Sequence, residues 1–168
     1  MKKSRMRVRK IWRIAIVWVL VGLPGVARAQ PAPAQPDNGV AMVAQLLGST
    51  TYPYKTIADG VWTIDFTGKS LPSFKILAGA DNGVFTAFAV IAKADQFMHS
   101  ADLLSMLLKL NTSLNSVRVA FDADGDLVVE TKLSIRVLDA AELKSKIDEV
   151  AAAADMIYAS LGPYLVKR

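Results

Sequence analysis

The sequence contains no cysteine and only one histidine, His99, among its 168 residues. Without a thiol the chain can form no disulfide, no thiolate metal site and no cysteine nucleophile. One histidine cannot build a multi-histidine metal site either. The glycine loop that cradles phosphates and the nucleophile elbow of many hydrolases are also missing. We therefore expect a protein that is not an enzyme and that holds no cofactor and no metal.

No acidic residue precedes Asp37, whereas eight of the 20 basic residues lie in the first 29 positions. The basic start, Met1–Arg13, is followed by an apolar run, Ile14–Leu23, and then by a small-x-small site ending at Ala29. This order is typical of a secretory signal peptide, and the run is shorter than the ~18 residues that a membrane-spanning helix needs. We predict cleavage between Ala29 and Gln30 and a location in the periplasm or outside the cell. An uncleaved membrane anchor is the alternative.

The predicted organisation is a signal peptide over residues 1–29, a Pro/Ala-rich spacer over 30–37 and a single domain over 38–168. After cleavage, 12 basic and 15 acidic residues remain, so the net charge changes from +5 to −3. This acidic balance argues against nucleic-acid binding, and we expect no stable membrane span in the cleaved protein. A domain of this length can bury a core without disulfides.

The hydrophobic patterns follow one another as helix, four strands, helix, two strands, helix. The segment Tyr52–Ala92 alternates with the period of strands, and the strands come in hairpins. No strand–helix–strand alternation, which a parallel sheet would require, is present. We therefore predict an α+β fold with an antiparallel sheet and helices packed on it.

The hairpin between the last two strands can be predicted in detail. A three-residue loop, Ala123–Gly125, pairs Phe121 with Leu127 and keeps one face of the hairpin apolar. Such a loop needs its last residue in the left-handed region, where Gly125 stands. Residues 58–60, Ala-Asp-Gly, resemble another three-residue hairpin loop of this kind.

The same argument applied to residues 81–83, Asp-Asn-Gly, pairs Ile76 with Phe88 and Phe74 with Val90. This register directs Phe88 toward the core. Phe85 then points to the opposite, exposed face of the sheet, where it could contact a partner.

The central helix is predicted to begin after Ser100, which can serve as its N-cap. Its leucines are expected to form one wide apolar stripe: Leu103, Leu104, Leu107, Leu108 and Leu110. His99 lies just before the cap, and we expect no functional role for it. Asn111 and Asn115 bracket the following loop, where asparagine commonly ends helices and shapes turns.

Three aspartates, Asp122, Asp124 and Asp126, alternate as in a calcium-binding loop. The EF-hand pattern needs glycine at its sixth position and an acid at its twelfth. Counted from Asp122, these positions hold Leu127 and Leu133. The aspartates therefore indicate a hairpin turn rather than a metal site.

The last helix is predicted from Asp139, its N-cap, to Leu161, with an apolar residue every three or four positions. Its length exceeds the width of the sheet, and its far end is apolar. One consequence is that this end packs on a second copy or on another protein, through Ile157, Leu161, Tyr164 and Leu165 together with Phe85. The alternative is that the tail folds back onto its own domain.

Several segments resemble the YbjN-type proteins, small bacterial proteins sometimes called sensory transduction regulators. The resemblance runs roughly from Val40 to Leu161 and rests on these segments: Trp62–Phe66, Leu103-Leu104, Leu107–Asn111, Val117–Asp122 and Gly125–Leu127. It implies a fold similar to that of type III secretion chaperones and no catalytic residues. The signal peptide departs from those chaperones, which act in the cytosol, so their effector-handling role does not transfer.

The sequence therefore predicts an exported, non-enzymatic, YbjN-like protein that binds a protein partner or forms a homodimer and has a regulatory role. The alternative is a periplasmic small-molecule binding or sensor domain with a cleft between sheet and helices. A broad exposed apolar patch favours the first function, and a deep polar pocket favours the second.

Overall fold

The computed structural model describes residues 38–166, which form three α-helices and six β-strands. The helices are α1 (Asn38–Gly48), α2 (Ala101–Ser113) and α3 (Ala140–Ser160). The strands are β1 (Tyr54–Ala58), β2 (Val61–Phe66), β3 (Phe74–Asp81), β4 (Val84–Ala92), β5 (Arg118–Phe121) and β6 (Leu127–Ser134). The predicted signal peptide, its cleavage site between Ala29 and Gln30, and the spacer lie outside these residues.

The six strands form one antiparallel sheet in the order β1-β2-β3-β4-β6-β5. Strands that follow one another in sequence are neighbours in the sheet, except that β4 pairs with β6 and not with β5, which lies at the edge. The predicted α+β class and the predicted order of helices and strands are confirmed.

One face of the sheet is covered by α3 and α1, which form the core with it. Apolar residues recur along α3 at spacings of three and four, and Leu143, Ile147, Val150, Ile157 and Leu161 are all fully buried. Each such side chain contributes about 1.5–3 kcal/mol by leaving water. The helix starts where Asp139 accepts a hydrogen bond from the N–H of Glu142 at 2.8 Å, as its capping sequence predicts.

The turn between β3 and β4 differs from the prediction. Asp81 pairs with Val84, so only Asn82 and Gly83 form the loop, and both have positive φ. This two-residue turn matches the right-handed twist of the strands. It pairs Leu77, rather than Ile76, with Phe88.

The shorter turn reverses the predicted faces of β4, because a slip of one residue moves every side chain to the other side. Phe85 is fully buried beneath the helices, and Phe88 lies on the opposite face. The expectation that Phe85 contributes to an exposed interaction surface is therefore wrong.

The β5–β6 hairpin has the predicted register. Phe121 pairs with Leu127, and the loop between Asp122 and Asp126 carries Gly125 at φ 79°. The β1–β2 hairpin also has the register of a three-residue loop, with Thr56 opposite Trp62, although its tip tightens so that Ala58 meets Val61.

The second face of the sheet carries the other row of side chains. A row in register crosses all six strands: Lys55, Thr63, Leu77, Phe88, Glu130 and Arg118. None of these residues belongs to the core cluster or to the side chains packed against it. Arg118 forms an ion pair with Glu130 at 2.6 Å at the β5 end of this row.

Candidate functional site

Helix α2 buries only part of its leucine-rich surface. Leu103 and Leu107 are buried in the core, at 0% and 5% exposure. Leu104 and Leu108 remain exposed, at 50% and 67%. The single wide stripe predicted from the sequence is therefore divided in two, because α2 lies at the edge of the sheet. Leu103 and Leu107 face the core, and Leu104 and Leu108 face solvent.

The position of α2 is set by Asn111 in its last turn. The side-chain amide of Asn111 donates to the carbonyl oxygen of Val119 at 3.0 Å and accepts from the N–H of Val119 at 2.8 Å. Positions 104, 108 and 111 are spaced by four and three residues and share one side of the helix. The two exposed leucines therefore stand along the outer edge of β5.

This contact closes the edge of the sheet at β5. The outward N–H and C=O of an edge strand normally form a template on which another strand can pair. At Val119, the middle of a four-residue strand, Asn111 already occupies both groups. At this position of the edge, a partner must therefore be recognised by side chains. The prediction of a helix-ending role for Asn111 missed this bond, since nothing local in the sequence indicates Val119.

An aromatic cluster adjoins the first turn of α2. The rings of Phe97 and Phe121 stack with centroids 5.8 Å apart, and His99 contacts both, at 4.8 and 5.7 Å. Phe97 is buried, whereas Phe121 is 36% exposed and Met98 is 53% exposed. We call the exposed apolar set Met98, Leu104, Leu108 and Phe121 the α2–β5 surface.

The C-terminal tail folds back onto its own domain. Leu165 forms an antiparallel β-bridge with Phe97, flanked by two backbone hydrogen bonds. Of the predicted interaction residues on α3 and the tail, Ile157 and Leu161 are fully buried in the core, so they offer no surface to a partner. The alternative of a folded-back tail is the observed one. Tyr164 and Leu165 are half-buried, and their contact with a partner stays a prediction.

Two of the three aspartates in the β5–β6 loop, Asp122 and Asp126, have structural partners. Asp122 accepts hydrogen bonds from the N–H groups of Asp124 and Asp126, each at 2.9 Å, as aspartate side chains commonly do in turns. Asp126 is 6% exposed. Its carboxylate forms an ion pair with Lys93 at 2.5 Å and accepts a hydrogen bond from the N–H of Ala94 at 2.9 Å. Burial alone would raise the pKa of Asp126, but these two partners outweigh it and hold the pKa below its usual range. Within residues 38–166, no three potential ligands are placed to bind a metal ion.

The length and hydropathy of the helices indicate whether any of them could span a membrane. Within the described part of the chain, no helix is both long and apolar enough to cross a bilayer.

No protein-family model matches the sequence, and no curated protein matches it. Among solved structures, the chain is similar to a chain of the heterodimeric ExoU–SpcU complex from the type III secretion system of Pseudomonas aeruginosa. That match has 18% identity, covers 74% of this chain and 98% of that chain, and has a TM-score of 0.52. A chain of the ExsC–ExsE complex matches at 12% identity over 74% and 93%, with a TM-score of 0.51.

YbjN from E. coli, proposed to be a transcription regulator, is similar at 15% identity over 76% of this chain and 95% of that chain, with a TM-score of 0.52. The chain has a YbjN-like fold. This YbjN-like fold, shared with the secretion-system proteins, is the one that the sequence resemblance predicts. At identities of 12–18%, the similarity establishes the fold alone.

Proposed function

We propose that this protein is an exported, non-enzymatic module that binds another polypeptide through the α2–β5 surface and acts in a chaperone-like, regulatory role. The observation that carries the proposal is the exposure of Leu104 and Leu108, at 50% and 67%, on one side of α2. Contiguous exposed apolar side chains rimmed by polar residues are characteristic of protein-binding sites. Full burial of an exposed leucine is worth about 1.5–3 kcal/mol, and the remaining exposed half to two-thirds of these two side chains would supply a corresponding part of it.

The geometry of α2 limits the kind of partner. Because Asn111 occupies the outward backbone groups of Val119, strand addition at the centre of β5 is blocked. Leu104 and Leu108 form a ridge one helical turn apart, and Phe121 is partly exposed on β5, the strand that α2 contacts. Such a ridge fits apolar side chains presented by a helix or by an ordered loop.

The similar structures support a polypeptide partner. ExoU–SpcU is a heterodimeric complex and ExsC–ExsE is a complex of two proteins, so the shared fold can present protein-binding surfaces. A second copy of this chain is one candidate partner. Light scattering of the purified protein at about 100 μM, where an interface of ~7 kcal/mol is visible, distinguishes a homodimer from a monomer that awaits a different protein.

The experiment that tests this function is crosslinking in the native compartment followed by mass spectrometry, on the protein and on two variants. Leu108→Asp places a charge in the α2–β5 surface. Val137→Asp is the matched control, because Val137 is 65% exposed but lies in the turn before α3. We expect Leu108→Asp to lose the crosslinked partner and Val137→Asp to keep it. Equal crosslinking by both variants would contradict the proposed site, whereas the absence of any crosslinked polypeptide for the unchanged protein would favour the small-molecule sensor function.

We further propose that the protein reaches the periplasm, or is secreted, after cleavage between Ala29 and Gln30. The support is the basic, apolar and small-residue order of the first 29 positions. Amino-terminal sequencing of the protein from the periplasmic fraction should begin at Gln30. A protein recovered only from membranes with its first residues intact would instead indicate the uncleaved anchor.

A further inference from the structure

The C-terminal tail occupies a short strand-pairing site on its own domain. The N–H of Met98 donates to the carbonyl of Tyr164 at 2.8 Å, and the N–H of Val166 donates to the carbonyl of Gln96 at 2.9 Å. These bonds flank Phe97 and Leu165, which therefore form a non-hydrogen-bonded antiparallel pair. Side chains at such a pair lie closer together than at any other position of an antiparallel ladder.

Leu165 covers a residue that is continuous with the α2–β5 surface. Phe97 is 3% exposed, and its ring stacks on that of Phe121, a member of the surface. Met98, another member, is the next residue along the chain. Displacement of Leu165 would therefore uncover Phe97 and join it to Met98 and Phe121 in one larger apolar area.

Within residues 162–166, the tail is attached to the domain by two backbone hydrogen bonds with residues 96–98 and by the half-buried side chains of Tyr164 and Leu165. The 3₁₀ turn Gly162–Tyr164 separates it from α3, and Pro163 cannot continue the helix. Beyond that turn, Leu165 is half-buried and Val166 is 46% exposed. Between α2 and the tail lies an open groove of about 460 Å³ with a mixed polar and apolar lining: Asp102, Ser105, Met106, Lys109, Leu110 and Tyr164. The last residue with full burial is Leu161, so the removable part begins after it.

We propose that Gln96–Met98 is a strand-accepting site for an extended polypeptide segment, and that the chain's own tail covers this site until such a segment replaces it. The occupant is defined by what the tail presents: an apolar residue in extended conformation opposite Phe97, preceded by an aromatic residue at the end of a tight turn. Strand addition supplies backbone hydrogen bonds, and the pocket over Phe97 supplies selectivity. The proposal rests on the proposed function, since it adds a regulated strand-binding part to the α2–β5 surface.

The test uses a fluorescein-labelled peptide with the sequence of residues 160–168, SLGPYLVKR. Its binding is measured by fluorescence anisotropy to the full chain and to a chain that ends at Pro163. A tethered tail competes at an effective concentration in the millimolar range, so the full chain should bind the peptide at least ~10-fold more weakly than the shortened chain. A peptide carrying Leu165→Asp should bind neither protein.

Equal binding of the peptide to both chains would overturn the covering role of the tail. A shortened chain that is folded by circular dichroism yet binds no peptide would overturn the strand-accepting site. If the shortened chain does not fold, the full-length Leu165→Asp protein replaces it, because that change loosens the tail without removing it. Unfolding of both proteins would show that the tail is an inseparable part of the core, which also overturns the proposal.

The outcome is separable from that of the proposed function. Peptide binding depends on Gln96–Met98, whereas the crosslinking test depends on Leu108. If the shortened chain binds the peptide but Leu108→Asp keeps its crosslinked partner, the strand-accepting site stands and the α2–β5 surface fails. If Leu108→Asp loses its crosslinked partner but the shortened chain binds no peptide, the α2–β5 surface stands and the strand-accepting site fails.

Discussion

The side-chain amide of Asn111 makes both hydrogen bonds that the outward-facing backbone of Val119 offers, at 2.8 and 3.0 Å. An amide group on a helix thereby takes the place of a seventh strand beside β5. This contact holds α2 at the edge of the sheet and leaves Leu104 and Leu108 in solvent. The exposed surface is therefore a consequence of how the edge is closed.

Replacement of Asn111 by alanine should destabilise the protein. The change leaves the N–H and C=O of Val119 without their partner, which costs about 1–3 kcal/mol. Asn111→Asp should also be destabilising, because a carboxylate accepts from the N–H but cannot donate to the carbonyl. Asn115→Ala is the control, since Asn115 is exposed in the following loop. Urea unfolding curves measure the difference, and equal midpoints for Asn111→Ala and Asn115→Ala would contradict the role of the amide.

Truncation of the adjacent residues Leu107 and Leu108 in α2 should have very different effects on stability. Leu107→Ala removes a side chain that is 5% exposed and should cost about 2–5 kcal/mol through lost burial and a cavity. Leu108→Ala removes one that is 67% exposed and should change the free energy of unfolding by less than about 0.5 kcal/mol. Thermal melts of the two variants test the orientation of the helix. A larger loss of stability for Leu108→Ala than for Leu107→Ala would contradict this orientation of α2.

Three glycines provide a matched test of the backbone conformation in the turns. Gly83 and Gly125 have φ of 74° and 79°, so an alanine at either position should cost about 1–2 kcal/mol through backbone strain. An added Cβ meets nothing within 4 Å at Gly83 and only ordinary contacts at Gly125, so crowding plays no part.

Gly79 is the control for these two positions. It lies inside β3, and an added Cβ there meets only atoms at 3.9 and 4.0 Å. Gly79→Ala should therefore be neutral, or stabilising by about 0.5–1 kcal/mol because alanine loses less freedom on folding. If Gly83→Ala were as stable as Gly79→Ala, the positive φ of Gly83 in the turn between β3 and β4 would be in error.

The ion pair between Asp126 and Lys93 should make stability depend on acid pH. The pKa of Asp126 lies below its ordinary value of 3.8 in the folded protein. The stabilisation is therefore present above that ordinary value and is lost as pH falls through the lower, folded pKa. The difference in Tm between the protein and Asp126→Asn should be largest near pH 5–7 and should shrink below about pH 3.8. Asp124→Asn, from the same loop, is the control, and a Tm difference for Asp126→Asn that stays constant from pH 7 to pH 2.5 would contradict the coupling.

The register of β4 shows where sequence reasoning fails. Both rows of this strand contain large apolar residues, with Phe85 on one side and Phe88 on the other. Burial cannot choose between two apolar rows, and Gly83 has a positive φ in either a two-residue or a three-residue turn. The β5–β6 hairpin was predictable because Glu130 would have entered the core in the alternative register.

The sequence by itself determined the order of helices and strands, the caps at Ser100 and Asp139, the buried stripe of α3 and the resemblance to the YbjN-like fold. These features depend on residues that are close together in the chain, so local spacing is sufficient to identify them. The tertiary structure decided which leucines of α2 face solvent, which face of β4 is covered and where the C-terminal tail lies. Each of these depends on a contact between distant segments, such as Asn111 with Val119 or Phe97 with Leu165, and periodicity within one segment carries no information about the other.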